Sequence, residues 1–159
     1  MNALVLGIGN MLLMDEAAGV KVIEDLLNRY NIPRDVEVID GGTAGMELLH
    51  YIQNKKHVFI VDAAKTGNAP GTIVKIEGKA VPAFFCTKIS PHQLGLSDIL
   101  AAAQLTDTMP EHIVLFGIEP KRMETGLELS EEVQGKIGSL SDMIVEELKA
   151  KGYKVESKG

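Results

Sequence analysis

The 159-residue sequence has one cysteine, Cys86, and no tryptophan. A single cysteine cannot form an intramolecular disulfide, and without a C-x-x-C pair the chain has no thiolate zinc motif. This pattern predicts a protein of the reducing cytoplasm. Only four Phe and three Tyr are present, so the sequence also lacks the interleaved aromatic and basic side chains of a surface that binds single-stranded nucleic acid.

Basic residues are scarcer than acidic ones. The count of 16 Lys and Arg against 22 Asp and Glu gives a formal net charge of −6. Because an acidic surface repels phosphate backbones, nucleic acid is not expected as a partner. The apolar segment 3–13 contains Asn10, lacks a cationic leader and runs into Asp15 and Glu16, so it predicts neither a signal peptide nor a membrane span.

The remaining composition is that of a compact protein, with 45% hydrophobic and 24% charged residues. A chain of this length buries roughly 70% of the surface that its unfolded form exposes, which is enough for a core without a structural metal. We therefore expect one domain over residues 1–159 with a frayed tail at 151–159, and we expect any metal to serve function.

Five segments have the pattern of β-strands. They are residues 3–8, 36–40, 58–62, 72–77 and 113–118. The segments 3–8, 58–62 and 113–118 contain continuous apolar runs, which are typical of parallel strands covered on both faces. Residues 72–77 alternate in polarity, and residues 63–71 are too few for a helical crossover, so this strand is predicted to be an antiparallel edge strand.

Helical patterns lie between these strands. Val20, Ile23, Leu27 and Tyr30 form one apolar stripe, and a second stripe runs from Val133 to Leu148. Ser90-Pro91-His92-Gln93 predicts a helix start with a serine N-cap, and a shorter helix is expected over residues 44–52. The order of elements predicts an α/β protein, a three-layer α/β/α fold with a mostly parallel twisted five-stranded sheet and one antiparallel strand.

Polar residues follow several of the predicted strands. In open α/β sheets, binding sites form beyond the carboxyl ends of the strands. If the first and third strands are neighbours, Glu16 and Asp62 approach each other and His92 can complete the group. Two carboxylates and an imidazole are suitable ligands for a divalent transition metal. Asp40, after the second strand, is a candidate additional catalytic carboxylate or a turn former.

Each of these residues also has an ordinary structural interpretation. An acidic residue such as Asp15 commonly complements a helix N-terminus, and a lone histidine such as His92 is more often a surface residue than a ligand. The metal-site hypothesis therefore depends on convergence of Glu16, Asp62 and His92. Cys86 with His92 is a weaker candidate for nucleophilic catalysis, because Phe84-Phe85-Cys86 is an apolar setting that favours the unreactive thiol.

The predicted sheet is also compatible in part with two other functions. Gly7-x-Gly9 is similar to a dinucleotide-binding turn, but Leu12 replaces the third glycine and Asp15 and Glu16 would face a pyrophosphate. A receiver-like phosphoacceptor domain would use Asp15, Glu16, Asp62 and Lys121 around Mg²⁺, and it remains an alternative. In that arrangement His92 would have no role.

The motifs resemble those of hydrogenase maturation endopeptidases, which remove the C-terminal extension of the large subunit of nickel-iron hydrogenases. The first matching motif is Gly7-x-Gly9-Asn10-x-Leu12-x-x-Asp15-Glu16-x-x-Gly19. The others are Asp40-Gly41-Gly42-Thr43-x-Gly45, Val61-Asp62-Ala63 and Ser90-Pro91-His92-Gln93. The resemblance covers nearly the whole chain.

This resemblance implies a substrate and a metal. The substrate would be the precursor of the hydrogenase large subunit, and the metal would be nickel that the precursor already carries. Glu16, Asp62 and His92 correspond to the metal-binding residues of the family, so proteolysis would report that nickel insertion has succeeded.

Overall fold

The computed structural model describes residues 2–42, 45–86 and 91–159, without the side chains of residues 86 and 91–95. Its main sheet has five strands in the order β3-β1-β4-β6-β5, and a two-stranded sheet pairs β2 with β7. The strands are β1 (Ala3–Ile8), β2 (Tyr30–Asn31), β3 (Val36–Gly42), β4 (His57–Ala63), β5 (Ile73–Glu77), β6 (His112–Ile118) and β7 (Glu156–Ser157).

Six α-helices and one 3-10 helix connect the strands in the described residues. The 3-10 helix covers Met14–Ala17 and leads directly into the first α-helix. The α-helices are α1 (Ala18–Arg29), α2 (Leu48–Ile52), α3 (Ala80–Cys86), α4 (Pro91–Leu105), α5 (Glu131–Gln134) and α6 (Ile137–Ala150).

The main sheet separates two apolar clusters. Alternate side chains of β4, such as Phe59 and Val61, pack with α1 and α6 on one face, whereas Val58 and Ile60 pack with α2, α3 and α4 on the other. Because successive strand residues point to opposite faces, a single strand serves both clusters. This arrangement explains the continuous apolar runs and confirms the three-layer α/β/α fold.

The strand pairing also agrees with the sequence. β1 lies between β3 and β4 and is parallel to both, so the predicted neighbours are adjacent. β5 pairs antiparallel with β6 at the edge of the sheet, as the short connection from β4 predicted. In β3, Asp40 lies opposite Gly7 and Gly42 lies opposite Ile8, which leaves Gly41 as a bulge beside the carboxyl end of β1.

The helices differ from the sequence-based prediction at three places. The expected helix over residues 44–52 is observed at Leu48–Ile52, and Thr43 and Ala44 lie outside the described residues. The single C-terminal helix is wrong, because α5 ends at Gln134 and α6 begins at Ile137. Helix α3 was missed: it has no cap signal, and Pro82 in its first turn is tolerated since the N–H groups there have no helical partner.

Residues near the C-terminus pack against the rest of the chain, in a segment for which the sequence predicts a frayed tail over 151–159. Tyr153 and Val155 are buried in the α1–α6 cluster. The hydroxyl of Tyr153 lies 2.7 Å from His57 Nδ1, and β7 pairs antiparallel with β2. The buried side chains of Tyr153 and Val155 attach this segment to the core. The sequence did not predict this contact, because the residues around them are polar and show no periodic pattern.

Two glycines allow the start of α1 to pack against the carboxyl ends of β1 and β4. A Cβ at Gly19 would lie 2.3 Å from the carbonyl oxygens of both Ile8 and Val61, and a Cβ at Gly9 would lie 1.9 Å from the carbonyl oxygen of Glu16. Both distances are far below van der Waals contact. Any side chain at these positions would push the 3-10 helix away from the sheet edge.

Replacement of Gly19 by alanine tests this close approach. The new methyl group meets two backbone carbonyls that cannot rotate away, so we expect Gly19→Ala to lower the free energy of unfolding by about 3 kcal/mol. Urea unfolding followed by circular dichroism measures the change.

Gly138→Ala is the matched control. Among the described residues outside its own helix turn, the nearest atom to a Cβ at this position would be Arg29 Nη2, at 3.7 Å. Since Gly138 lies in α6, we expect this substitution to leave stability unchanged or to raise it by up to about 1 kcal/mol. Equal effects of the two substitutions would contradict the steric role assigned to Gly19.

Candidate active site at the carboxyl edge of the sheet

Glu16 lies in the 3-10 helix, between the end of β1 and the start of α1. The residue is only 6% exposed, and its backbone carbonyl packs directly against Gly9. The 3-10 helix also contacts β4. The predicted acidic residue is therefore held against the carboxyl ends of the two central strands.

Asp62 is the second buried carboxylate at this edge. It is fully buried, and it lies one residue beyond Val61, whose carbonyl faces Gly19. By strand alternation its side chain has the same direction as those of Val58 and Ile60, toward the face covered by α2, α3 and α4. Glu16 thus follows β1, and Asp62 lies near the carboxyl end of β4, the adjacent parallel strand.

Asp40 has a different environment from these two residues. It is exposed, and its Oδ1 accepts a hydrogen bond of 2.9 Å from the N–H of Gly42. Gly42 has a φ of 52°, so the side chain of Asp40 stabilises a turn of positive φ. The turn-forming role is therefore observed. Asp40 is separated from β4 by β1, which corresponds to roughly 10 Å.

Asp15 connects the first motif to the segment that follows β6. Its carboxylate accepts hydrogen bonds from the backbone N–H groups of Lys121, Arg122 and Ser130 and from the Ser130 hydroxyl, at 2.7–3.0 Å. Burial alone would raise the pKa of Asp15, but these hydrogen bonds outweigh it and lower the pKa. Asp15 is a buried structural anion, and it does not cap the helix that follows it.

Glu119 has a comparable role after β6 that the sequence did not reveal. Its Oε1 accepts hydrogen bonds from the N–H and hydroxyl of Thr66 and from the N–H of Asn68. These bonds fix the exposed segment that follows Asp62. The position of Glu119 at the end of a predicted central strand was the available signal, but a strand-end glutamate does not by itself show which loop it holds.

His92 is the second residue of α4. The helix begins at Pro91 as predicted, whereas Ser90, the predicted N-cap, and the side chain of His92 lie outside the described part of the chain. Among the side chains that the structure describes, no three His, Cys, Asp or Glu residues form a metal-binding group. The set of Glu16, Asp62 and His92 includes an undescribed side chain and therefore stays a prediction.

The contacts of Lys121 and Asp15 contradict the receiver-like alternative. Lys121 Nζ lies 2.7 Å from Glu132 Oε2, and the carboxylate of Asp15 is engaged by the segment after β6. A receiver needs a lysine and an acidic pair directed toward the aspartate of the central strand. Lys121 and Asp15, two of the four residues of the receiver-like site, are therefore engaged in other contacts.

Comparison with known proteins identifies the family. A family model described as "Hydrogenase maturation protease" matches residues 20–147. The chain belongs to the hydrogenase maturation protease family. It is 44% identical over 153 residues to the hydrogenase 2 maturation protease of Escherichia coli K12, a match that covers 96% of this chain and 93% of that protein.

Solved structures of hydrogenase maturation proteases share the fold. The maturating endopeptidase HybD of E. coli has a TM-score of 0.96 and 43% identity, with coverage of 99% of this chain and 98% of that chain. The [NiFe] hydrogenase maturation protease HybD of Thermococcus kodakarensis has a TM-score of 0.72 and 27% identity, with coverage of 93% and 99%. The resemblance inferred from the motifs is confirmed, and so is the identification as a protease.

One further property concerns membranes. Within residues 2–42, 45–86 and 91–159, no helix combines the length and apolar character needed to cross a bilayer.

Replacement of Asp15 by asparagine tests its role as a structural anion. The amide NH₂ would face a hydrogen-bond donor, so we expect Asp15→Asn to lower the free energy of unfolding at pH 7 by about 3 kcal/mol. Because the pKa of Asp15 is lower in the folded state, its contribution is present above the ordinary aspartate pKa and lost as the pH falls through the folded value.

The difference in stability between the parent protein and Asp15→Asn should therefore be largest near neutral pH and shrink below about pH 4. Urea titrations at a series of pH values measure it. Asp107→Asn, at an exposed position with a φ of 56° that asparagine tolerates, is the control. A pH-independent loss in Asp15→Asn would show that the charge of Asp15 is not what stabilises the loop.

Proposed function

We propose that this protease removes the C-terminal extension from the nickel-loaded precursor of the nickel-iron hydrogenase large subunit. The observation that carries the proposal is the placement of two buried carboxylates, Glu16 and Asp62, at the carboxyl ends of adjacent parallel strands. Membership of the hydrogenase maturation protease family supports the substrate class, and a relative of similar fold is named a [NiFe] hydrogenase maturation protease.

The position of α4 supports His92 as the third member of the site. Helix α4 leads into β6, which is parallel to β4, so α4 runs back along the sheet. Its 15 residues span roughly 22 Å and the seven residues of β6 roughly 23 Å. The first turn of α4, which contains His92, therefore belongs at the carboxyl edge, on the face toward which Asp62 points.

Glu16, Asp62 and His92 would bind the nickel that the precursor presents. The donor set fits: two carboxylates supply negative charge, and a neutral imidazole favours a transition metal over Mg²⁺ and Ca²⁺. The N-terminal end of a helix disfavours imidazolium, which keeps a nitrogen lone pair of His92 available. In this proposal nickel is part of the substrate, so the protease does not need a resident metal.

Nickel binding would place the scissile peptide bond at the carboxyl edge of the sheet. Two mechanisms follow from this placement. The nickel held by Glu16, Asp62 and His92 would polarise the scissile carbonyl or activate water, or it would position the substrate while a carboxylate acts as general base. Asp40 is our candidate for that carboxylate. Gly42 leaves room for an extended substrate backbone beside it, whereas Gly41 is buried against Leu6 and Ile8.

A cytoplasmic location is predicted only from the single cysteine, and it stays a prediction.

A cleavage assay with the natural substrate class tests the proposed function. Purified protein is incubated with large-subunit precursor prepared with and without nickel, and the mass of the C-terminus is measured. We expect the extension to be released only from the nickel-loaded precursor. Cleavage that is equal with and without nickel would contradict the proposed role of the metal, and no cleavage of either form would contradict the substrate.

Substitution of the three proposed ligands tests the site itself. We expect His92→Ala, Glu16→Gln and Asp62→Asn each to reduce processing of the nickel-loaded precursor at least about 100-fold. His50→Ala, at an exposed position in α2, is the matched histidine control and should process normally. Circular dichroism of each variant checks the fold. Normal processing by a folded His92→Ala protein would remove His92 from the site.

A further inference from the structure

A buried histidine lies at the amino-terminal edge of the main sheet, opposite to the candidate active site. His57 begins β4 and is only 4% exposed. Its ring stacks on that of His112, its partner at the start of β6, with ring centroids 5.1 Å apart. Its Nδ1 lies 2.7 Å from the hydroxyl of Tyr153, and the two rings meet edge-on. These three residues, which we call the histidine cluster, join β4 and β6 to the segment that follows α6.

The C-terminal segment, residues 152–159, is attached to the rest of the protein by short contacts. Tyr153 and Val155 are buried, and β7 pairs with β2 through two residues of each strand. The N–H of Lys158 donates to the carbonyl of Arg29. Because a two-stranded sheet is marginally stable by itself, this segment can open locally while the five-stranded sheet stays intact.

Charged groups from several elements surround His57. The titratable side chains that face it or share its cavity are Lys56, Glu77, Glu111, His112, Lys151 and Tyr153. Burial is the largest cause that lowers the pKa of His57, and the positive charges of His112, Lys151 and Lys56 lower it further, whereas Glu111 raises it. Burial, followed by the charge of Asp35, raises the pKa of Tyr153. Both side chains in the hydrogen bond are therefore uncharged near neutral pH.

Protonation of His57 would disrupt its contact with Tyr153. A neutral imidazole can accept a hydrogen bond from the hydroxyl at Nδ1, whereas an imidazolium carries hydrogen on both ring nitrogens and cannot accept one. The added charge would also be buried beside a second histidine ring. A cavity of about 330 Å³ next to the cluster, lined in part by His112 and Lys151, has room for water that can deliver the proton.

We propose that the histidine cluster is a pH-sensitive attachment of the C-terminal segment. At mildly acidic pH, His57 binds a proton, Tyr153 leaves the ring, and residues 152–159 detach from the sheet. This inference concerns the fold alone and does not depend on the function proposed above.

The direction of the pH effect follows from the two forms. The open form exposes His57 to water, so its imidazole has a pKa near the ordinary value of 6.5, whereas the pKa in the closed form is lower. The closed form is therefore favoured above about pH 6.5, and this advantage is lost as the pH falls from there through the lower value. Asp15 acts below about pH 4, so the two effects are separable.

Hydrogen exchange of the parent protein tests the attachment. The backbone N–H groups of Tyr153 and Lys158 donate to the carbonyls of Leu148 and Arg29 and report on the C-terminal segment, and those of β1 report on the main sheet. After correction for intrinsic exchange rates, we expect the protection of Lys158 to fall about tenfold from about pH 7.5 to about pH 5.5, which corresponds to one pKa unit between the two forms. At both pH values it should stay at least about 100-fold below that of the β1 amides.

Replacement of His57 by phenylalanine keeps a buried ring and removes the titrating group. We expect the protection of Lys158 in His57→Phe to differ by less than about twofold between the two pH values. His50→Phe, at an exposed position in α2, is the matched histidine control and should keep the tenfold fall. An NMR titration of the His57 imidazole in the parent protein needs no variant, and its midpoint should lie below the ordinary histidine value.

Each contrary outcome removes one part of the proposal. Equal protection of Lys158 at the two pH values in the parent protein would overturn the pH dependence. Equal protection of Lys158 and the β1 amides would show that the segment leaves only when the whole protein unfolds, which would overturn local detachment. A tenfold fall that persists in folded His57→Phe, or an ordinary titration midpoint for His57, would show that this histidine does not control the attachment.

Discussion

The candidate site depends on the close contact between the start of α1 and the carboxyl ends of β1 and β4. Gly19 lies against two strand-end carbonyls and Gly9 against the backbone of Glu16. These contacts are possible only where no Cβ is present, and they hold the 3-10 helix that contains Glu16 against the carboxyl ends of the strands. The glycines of the first motif therefore have a packing role.

Several carboxylates lie at one edge of the sheet, and burying them without compensating contacts would destabilise the fold. The structure places these carboxylates in different environments. The charge of Asp15 is stabilised by backbone N–H groups, and Glu119 organises the segment after β4 through Thr66 and Asn68. Asp40, at the exposed end of β3, stabilises its own turn. The edge therefore contains three carboxylates with structural hydrogen bonds in addition to Glu16 and Asp62, the two that we propose as metal ligands.

Much of this arrangement was predictable from the sequence. Continuous apolar runs gave the three central strands, and the short segment between β4 and β5 gave the antiparallel edge strand, because both features are local in the chain. The partners of Asp15 were not predictable, since they lie in a segment without helical or strand periodicity. The anchoring of Tyr153 was missed for a related reason: its contact with His57 joins residues far apart in sequence. The placement of Glu16 and Asp62 at one edge of the sheet followed from topology, whereas the contribution of His92 stays a prediction.

The hydrogen bonds of Asp15 have a consequence for biosynthesis. Its partner Ser130 is 115 residues further along the chain, so the first motif cannot acquire its full set of contacts until almost the entire polypeptide has left the ribosome. A nascent or prematurely terminated chain that lacks the segment after β6 would leave the carboxylate of Asp15 without these donors. The edge that holds Glu16 and Asp62 is therefore completed late in synthesis, once the segment after β6 can reach Asp15.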